Sequence, residues 1–196
     1  MPVVSTANGY ITVWPCDTPQ PNTSNLNLTT GLTTPDPVAV QAALRTWANG
    51  GVGACAVEAS SIGIVEHRLS GTALKVAVFT NFTQDHLDYH GSMADYWAAK
   101  RALFAWPGLQ AAVVNVDESQ GRGLADTLRG EGALDLWPVS MADTTARLHA
   151  RECRVTPGGM HLVVAEGPHL LALDLPFVGA YNAANLLGVL ASLRAL

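Results

Sequence analysis

The sequence predicts an α/β protein: a mainly parallel sheet flanked by helices, with a small antiparallel β subdomain toward the C-terminus. Three observations carry that prediction. "ACAVE" (Ala54 to Glu58), "VAVFT" (Val76 to Thr80) and "AAVVNV" (Ala111 to Val116) are short apolar runs, which suit strands buried on both faces. Segments with helical punctuation alternate with them, as crossover helices do in a parallel sheet. From about Thr145 the character changes. "ARLHARECRV", "MHLVVA" and "LLALDL" are separated by the turn sequences "TPGG" and "EGPH", which read as an antiparallel meander.

The elements follow in order. The first thirty-odd residues are rich in Pro, Thr and Asn, and "CDTPQPNTSNLN" reads as a loop. Asp36 is a good N-cap and Pro37 suits the first helical position. Val40, Leu44 and Trp47 then share a face, and Gly50-Gly51 stops the helix. A second helix starts at Ser92, where Ser92 and Asp95 have capping-box spacing with Asp in place of Glu. Its apolar stripe runs Tyr96, Ala99, Lys100, Leu103, Phe104, a 3.6-residue period with a lysine inside it. The end, "NAANLLGVLASLRAL", is an apolar helix with no stop signal. Both ends read as cut: the first residues resemble a strand, and the last lie inside a helix.

Length and composition narrow the class. A chain of 196 residues suits one domain, or one domain with a subdomain. It is 48% apolar and 14% charged, which is globular rather than disordered. A net charge of −5 argues against nucleic acid as a partner. No apolar run reaches the length of a membrane span, and "MPVVSTANGY" lacks the basic and apolar regions of a signal peptide. Three widely spaced cysteines without a CxxC disfavour a thiolate zinc site and make a reducing cytoplasm the default.

The chemistry concentrates in "TNFTQDHLDYHGSMADYWAAKRALF", Thr80 to Phe104. Lys100 is one of only two lysines, with Lys75. On an apolar stripe it is paired, deprotonated or modified, or else it snorkels from the stripe's edge. His86 and Asp88 follow the run "VAVFT", and in a parallel sheet the loops after strand C-termini form the ligand crevice. Glu58 ends "ACAVE" and can reach the same edge, where a carboxylate suits magnesium; it reads equally as an exposed strand-end group. "NLTTGLTTPD" sets the hydroxyls of Thr33 and Thr34 before a helix N-terminus, a phosphate-site arrangement that is also ordinary cap chemistry. Ser60, Ser61 and Arg68 follow Glu58, and Arg68 reads as a grip for phosphate or carboxylate, or as a surface cation.

"LTTPDPVAVQ", "EASSIGIVEHRL", "TNFTQDHLDYHGSMADYWAAK", "VVNVDE" and "GAYNAANLLG", in this order, resemble the central domain of the Mur ligase family, nearest its MurE type. The resemblance covers nearly the whole chain, and "DHLDYHG" followed by "AAK" is its most specific part. It implies ATP-dependent amide ligation: the carboxylate of UDP-MurNAc-L-Ala-D-Glu is activated as an acyl phosphate and attacked by the amine of a diamino acid, diaminopimelate or lysine. It implies ATP and Mg2+ as cofactors, and a cytoplasmic role in peptidoglycan synthesis. Lys100 matches the family's carbamylated lysine. Glu58 and His86 match its magnesium ligands, with the modified Lys100 as a third group. Thr33, Thr34, Ser60, Glu66 and Arg68 match residues that bind the UDP-MurNAc peptide, and Asn182 and Asn185 match asparagines beside the adenine.

Departures come with it. The family's glycine-rich phosphate loop has no counterpart here and is expected upstream of Met1, and Glu66 stands where many relatives have Gln, Ile62 where many have His. The expected layout is a partial central ATP-binding domain over 1–196. It comprises a parallel α/β part over 1–144, an antiparallel meander over 145–175 and a nucleotide-side helix over 176–196, with the N-terminal UDP-binding and C-terminal domains outside the chain. Three rivals remain: another Mur-like ligase of the folylpolyglutamate or cyanophycin synthetase type, a degenerate non-catalytic Mur-like binding module, and a metal-dependent hydrolase using Glu58, His86 and His90.

Overall fold

The computed structural model describes residues 36–83 and 87–196. The chain divides into two compact units, 1–72 with 86–103, and 73–85 with 104–196.

The described part of the first unit is helical. Helix α1 spans Pro37–Asn49. The Asp36 carboxylate accepts from the backbone N–H of Val38 (3.0 Å) and Ala39 (3.1 Å), satisfying two of the donors that a helix start leaves unpaired. Val40 is buried and Leu44 and Trp47 are half-buried, so the expected stripe is the inward face. Gln41 Nε2 donates to Thr72 Oγ1 at 3.0 Å, tying α1 to the loop that ends this unit. Helix α2 is short, Ser61–Val65, and Ser60 Oγ caps it by accepting from Gly63 N at 3.0 Å. A turn, α3 (Leu87–His90), leads into α4 (Met93–Ala102), which packs against α2. Ser92 closes its cap from both sides: its Oγ accepts from Asp95 N at 3.1 Å and donates to Asp95 Oδ2 at 2.6 Å. Tyr96, Ala99, Leu103 and Phe104 are buried, as the spacing predicts.

Ala54 to Glu58 form no strand, which corrects the expectation. An apolar run becomes a strand only where a neighbouring chain takes up its N–H and C=O groups. No described strand pairs with this segment.

The second unit is built on one six-stranded sheet in the order β1-β2-β3-β4-β5-β6. The strands are Val76–Phe79, Ala111–Asn115, Asp135–Ser140, Leu148–Thr156, Gly159–Glu166 and His169–Leu175. The first three pairings are parallel and the last two antiparallel. The meander therefore extends the parallel sheet, with β4 as the strand where direction changes. Ala112, Val113 and Val114 are 0% exposed, as a strand covered on both faces requires. The covers are α5 (Ser119–Glu131) and α6 (Ala180–Ala195). A Cβ on Gly121 of α5 would meet Phe79, and one on Gly188 of α6 would meet Val78. Adjacent strand residues point to opposite faces, so the two helices sit on opposite sides.

Gly121 is required by contact: a Cβ there would lie 1.8 Å from the Asn115 carbonyl oxygen. Beyond β2, Asp117 acts as a staple. Its carboxylate accepts from the Ser140 hydroxyl and from Met141 N (3.0 Å), joining the ends of β2 and β3. Ser140 Oγ in turn accepts from Ala142 N (3.0 Å) and Asp143 N (2.7 Å).

Candidate functional site

The local backbone of the first unit sets up its chemistry. Helix α2 ends in a Schellman motif: His67 N donates to Ile64 O (3.1 Å) and Arg68 N to Gly63 O (2.8 Å). The left-handed position of that motif normally takes glycine, but here His67 holds φ 58°. That conformation costs a non-glycine residue on the order of 1 kcal/mol.

The turn carries Glu66 and Arg68 on either side of His67, and their side chains meet. Arg68 donates through Nε (2.8 Å) and through Nη2 to Glu66 Oε2. Tyr89 Oη donates to the other oxygen, Oε1, at 3.3 Å. Partial burial raises the Tyr89 phenol above its ordinary value, and the Glu66 charge and hydrogen bond add to this against a smaller opposing pull from Arg68. The phenol stays a donor. A carboxylate at position 66 is thus accommodated by one cation and one hydroxyl. The Arg68 and Glu66 side chains are 25% and 40% exposed, so solvent still screens the pair.

A second set of contacts runs from α2 to α4. Ser61, the first residue of α2, is 2% exposed. Its Oγ lies 2.9 Å from His90 Nε2. The His90 ring stacks on Tyr96 with centroids 5.3 Å apart and meets Tyr89 edge-on at 5.0 Å. The Lys100 ammonium sits 5.1 Å from the centroid of the Tyr96 ring, a cation–π contact worth about 0.5–1 kcal/mol at a partly exposed site. Lys100 itself is half-buried, on the inward side of α4.

Of the other sequence-predicted residues, Glu58 is half-buried in the loop before α2, and Ser60 is the α2 cap. Thr33, Thr34 and His86 lie outside the described residues. In the second unit, Asn182 is 6% exposed at the start of α6 and Asn185 is half-buried one turn on. Asn182 Nδ2 donates to Val178 O at 2.8 Å. Because a carbonyl takes the amide N–H, Oδ1 is the atom left over, and it is buried without a partner among the described residues. Such an acceptor costs about 1–3 kcal/mol and suits a ligand that brings an N–H.

Sequence reasoning missed Tyr89, Tyr96 and the partner of His90. The spacing marked Tyr96 as core and His90 as a candidate by type. Neither signal says that one ring bonds Ser61 and touches both tyrosines, because Ser61 is 29 residues away. Among the described residues no group of three His, Cys, Asp or Glu side chains could hold a metal ion, and no helix is long and apolar enough to cross a membrane.

The family model described as "Mur ligase middle domain" matches residues 4–193, and the chain belongs to that family. Among its relatives is the UDP-N-acetylmuramoyl-L-alanyl-D-glutamate–2,6-diaminopimelate ligase of Acidovorax sp. (strain JS42), 58% identical over 168 residues, covering 86% of this chain and 33% of the relative. The ligase of the same name from Pseudomonas aeruginosa is 45% identical over 166 residues, covering 84% and 33%. A solved structure of a UDP-N-acetylmuramoyl-L-alanyl-D-glutamate–2,6-diaminopimelate ligase superposes with a TM-score of 0.74 at 27% identity, covering 83% of this chain and 34% of that one. The chain thus spans about a third of the length of the curated relatives it matches.

Proposed function

We propose that the chain is the central part of a longer cytoplasmic ligase of peptidoglycan synthesis, which joins 2,6-diaminopimelate to UDP-MurNAc-L-Ala-D-Glu. What most supports this reading is the 58% identity to a ligase so named, and that name favours diaminopimelate over lysine as the incoming amino acid. Two of the five segments that carry the resemblance, "EASSIGIVEHRL" and "TNFTQDHLDYHGSMADYWAAK", also fold against each other in one unit, as α2 against α4.

The residues take these parts. Arg68, steered by Glu66 and Tyr89, presents its guanidinium to an anionic group of the nucleotide-peptide. Thr33, Thr34 and Ser60 supply hydroxyls to the same substrate. Asn182 offers its unpaired Oδ1 as an acceptor for the exocyclic amine of adenine, so α6 fits the nucleotide; Asn185 stands beside it. Lys100 reacts as the neutral amine: its nitrogen bonds to the carbon of dissolved carbon dioxide, one proton leaves to water, and a carbamate anion results. Glu58, His86 and that carbamate would hold magnesium. This set rests on the family resemblance, since His86 is outside the described residues. When bound, ATP and magnesium supply a phosphoryl group for the substrate carboxylate and the charge that stabilises its transfer.

The test uses the complete polypeptide with ATP, magnesium, UDP-MurNAc-L-Ala-D-Glu and either diaminopimelate or lysine. The expected result is ADP release that needs both substrates, with an amide product seen by mass and made faster with diaminopimelate. ADP release only with a folate or a peptide polymer as acceptor would overturn the reading in favour of another ligase of the same fold. No release with any acceptor would make this a binding module.

A further inference from the structure

We propose that His90 is a positioning residue that holds the Glu66–Arg68 pair and the Lys100 side chain in one register. The inference rests on the ligase reading, in which Arg68 meets the nucleotide-peptide and Lys100 meets the reaction centre. His90 itself touches neither.

The geometry gives its ring two arms. One arm is polar: Nε2 lies 2.9 Å from the Oγ of Ser61, which is 2% exposed. Ser61 opens α2, and Glu66 and Arg68 follow at the helix's far end, so this bond fixes the end of α2 opposite the pair. The edge-on contact with Tyr89 adds a second hold, because the Tyr89 hydroxyl donates to Glu66. The other arm is aromatic: the ring stacks on Tyr96, whose own ring lies beneath the Lys100 amine.

The two arms demand different things of a side chain. A hydrogen bond to Ser61 needs a polar atom in the ring plane, while the Tyr96 stack needs a flat face. Glutamine supplies the first alone and phenylalanine the second alone. Histidine supplies both, and the Ser61 hydroxyl can donate or accept, so either neutral tautomer serves.

The experiment compares His90→Phe, His90→Gln and Ser61→Ala in the complete polypeptide, reading KM for the nucleotide-peptide, kcat, the thermal midpoint and the 13C NMR carbamate signal after loading with 13CO2. His90→Phe is expected to raise KM about five- to ten-fold, the range set by one lost hydrogen bond, with kcat within about two-fold and the carbamate signal kept. Ser61→Ala should do the same. The double variant should be no worse than either single one, since both remove one bond. His90→Gln keeps the bond to Ser61 but loses both ring contacts, so KM should rise less than in His90→Phe, with kcat down about ten-fold and a weaker carbamate signal. A residue that only stabilises the fold would lower the thermal midpoint in all three while leaving KM and kcat of the folded enzyme unchanged, and that result overturns the inference. Should His90→Gln fail to fold, an unchanged KM in Ser61→Ala is sufficient to overturn it. A wild-type enzyme without ligation overturns the ligase reading as well; a ligating wild type with unaltered variants overturns this inference alone.

Discussion

Replacing Asn182 with leucine should weaken nucleotide binding while leaving the protein as stable or more so. Leucine is close to asparagine in shape. In the native protein the buried Oδ1 has no partner among the described residues, which costs about 1–3 kcal/mol. Leucine removes that cost. It also removes the bond from Nδ2 to Val178 O, worth about 0.5–1.5 kcal/mol. Val178 is 51% exposed, so water can take over its carbonyl. The difference is a net gain of about 0–2 kcal/mol, or up to about 8 °C in Tm for a chain of this size. Binding moves the other way. An adenine amine facing leucine loses its acceptor, and Kd should rise about 5- to 150-fold at about 1–3 kcal/mol. Urea denaturation of the chain measures the first effect, and calorimetry with ADP on the complete polypeptide measures the second. A variant destabilised by more than about 2 kcal/mol with unchanged nucleotide affinity would refute the reasoning, because Oδ1 would then be serving the fold.

Two further outcomes are expected. Lys100→Ala in the complete polypeptide should abolish most turnover, and added formate or acetate should restore part of it by standing in for the carbamate; full activity without rescue would leave Lys100 as a stripe-edge lysine held by Tyr96. Gly121→Ala should destabilise the chain by about 1–3 kcal/mol in urea, because the added Cβ would sit 1.8 Å from a backbone oxygen of β2 and something must shift.

The Lys100 experiment also tests a balance of forces. In the unmodified chain the Tyr96 ring stabilises an ammonium. A carbamate is an anion and forfeits that contact. On the ligase reading the ring therefore sets where the amine lies rather than stabilising its modified form.

Much of the fold was legible because local chemistry and tertiary environment agreed. Asp36-Pro37 started α1, Ser92 and Asp95 capped α4, and the turn residues at 157–158 and 167–168 set the meander. Where long-range partners decide, the sequence misled. Ala54 to Glu58 have the composition of a strand but no strand beside them. β3 escaped notice because it carries Pro138, which argues against a central strand. The structure tolerates it because the β3–β4 ladder begins only at Val139, one residue past the missing N–H. α5 carries three glycines, Gly121, Gly123 and Gly130, and so lacks a strong helical signature. At the site, residue types were readable and partners were not. Glu66 was readable only as a departure from Gln, and its partner Arg68 is set against it by the turn at His67. The buried oxygen of Asn182 has no sequence signature.

The sheet's strand order has a consequence for synthesis. Each described strand lies beside its neighbours in sequence, from β1 through β6. Among the described residues, no strand has to hold a gap open for one made later. Chains emerge from the ribosome at about 5–20 residues per second, so each strand can dock on the one before it as it appears, and the hairpins at the growing edge close within microseconds. The last strand, β6, leaves Leu170 and Leu171 65% and 48% exposed. A nascent chain halted there presents an unpaired apolar edge, the form most prone to join another chain.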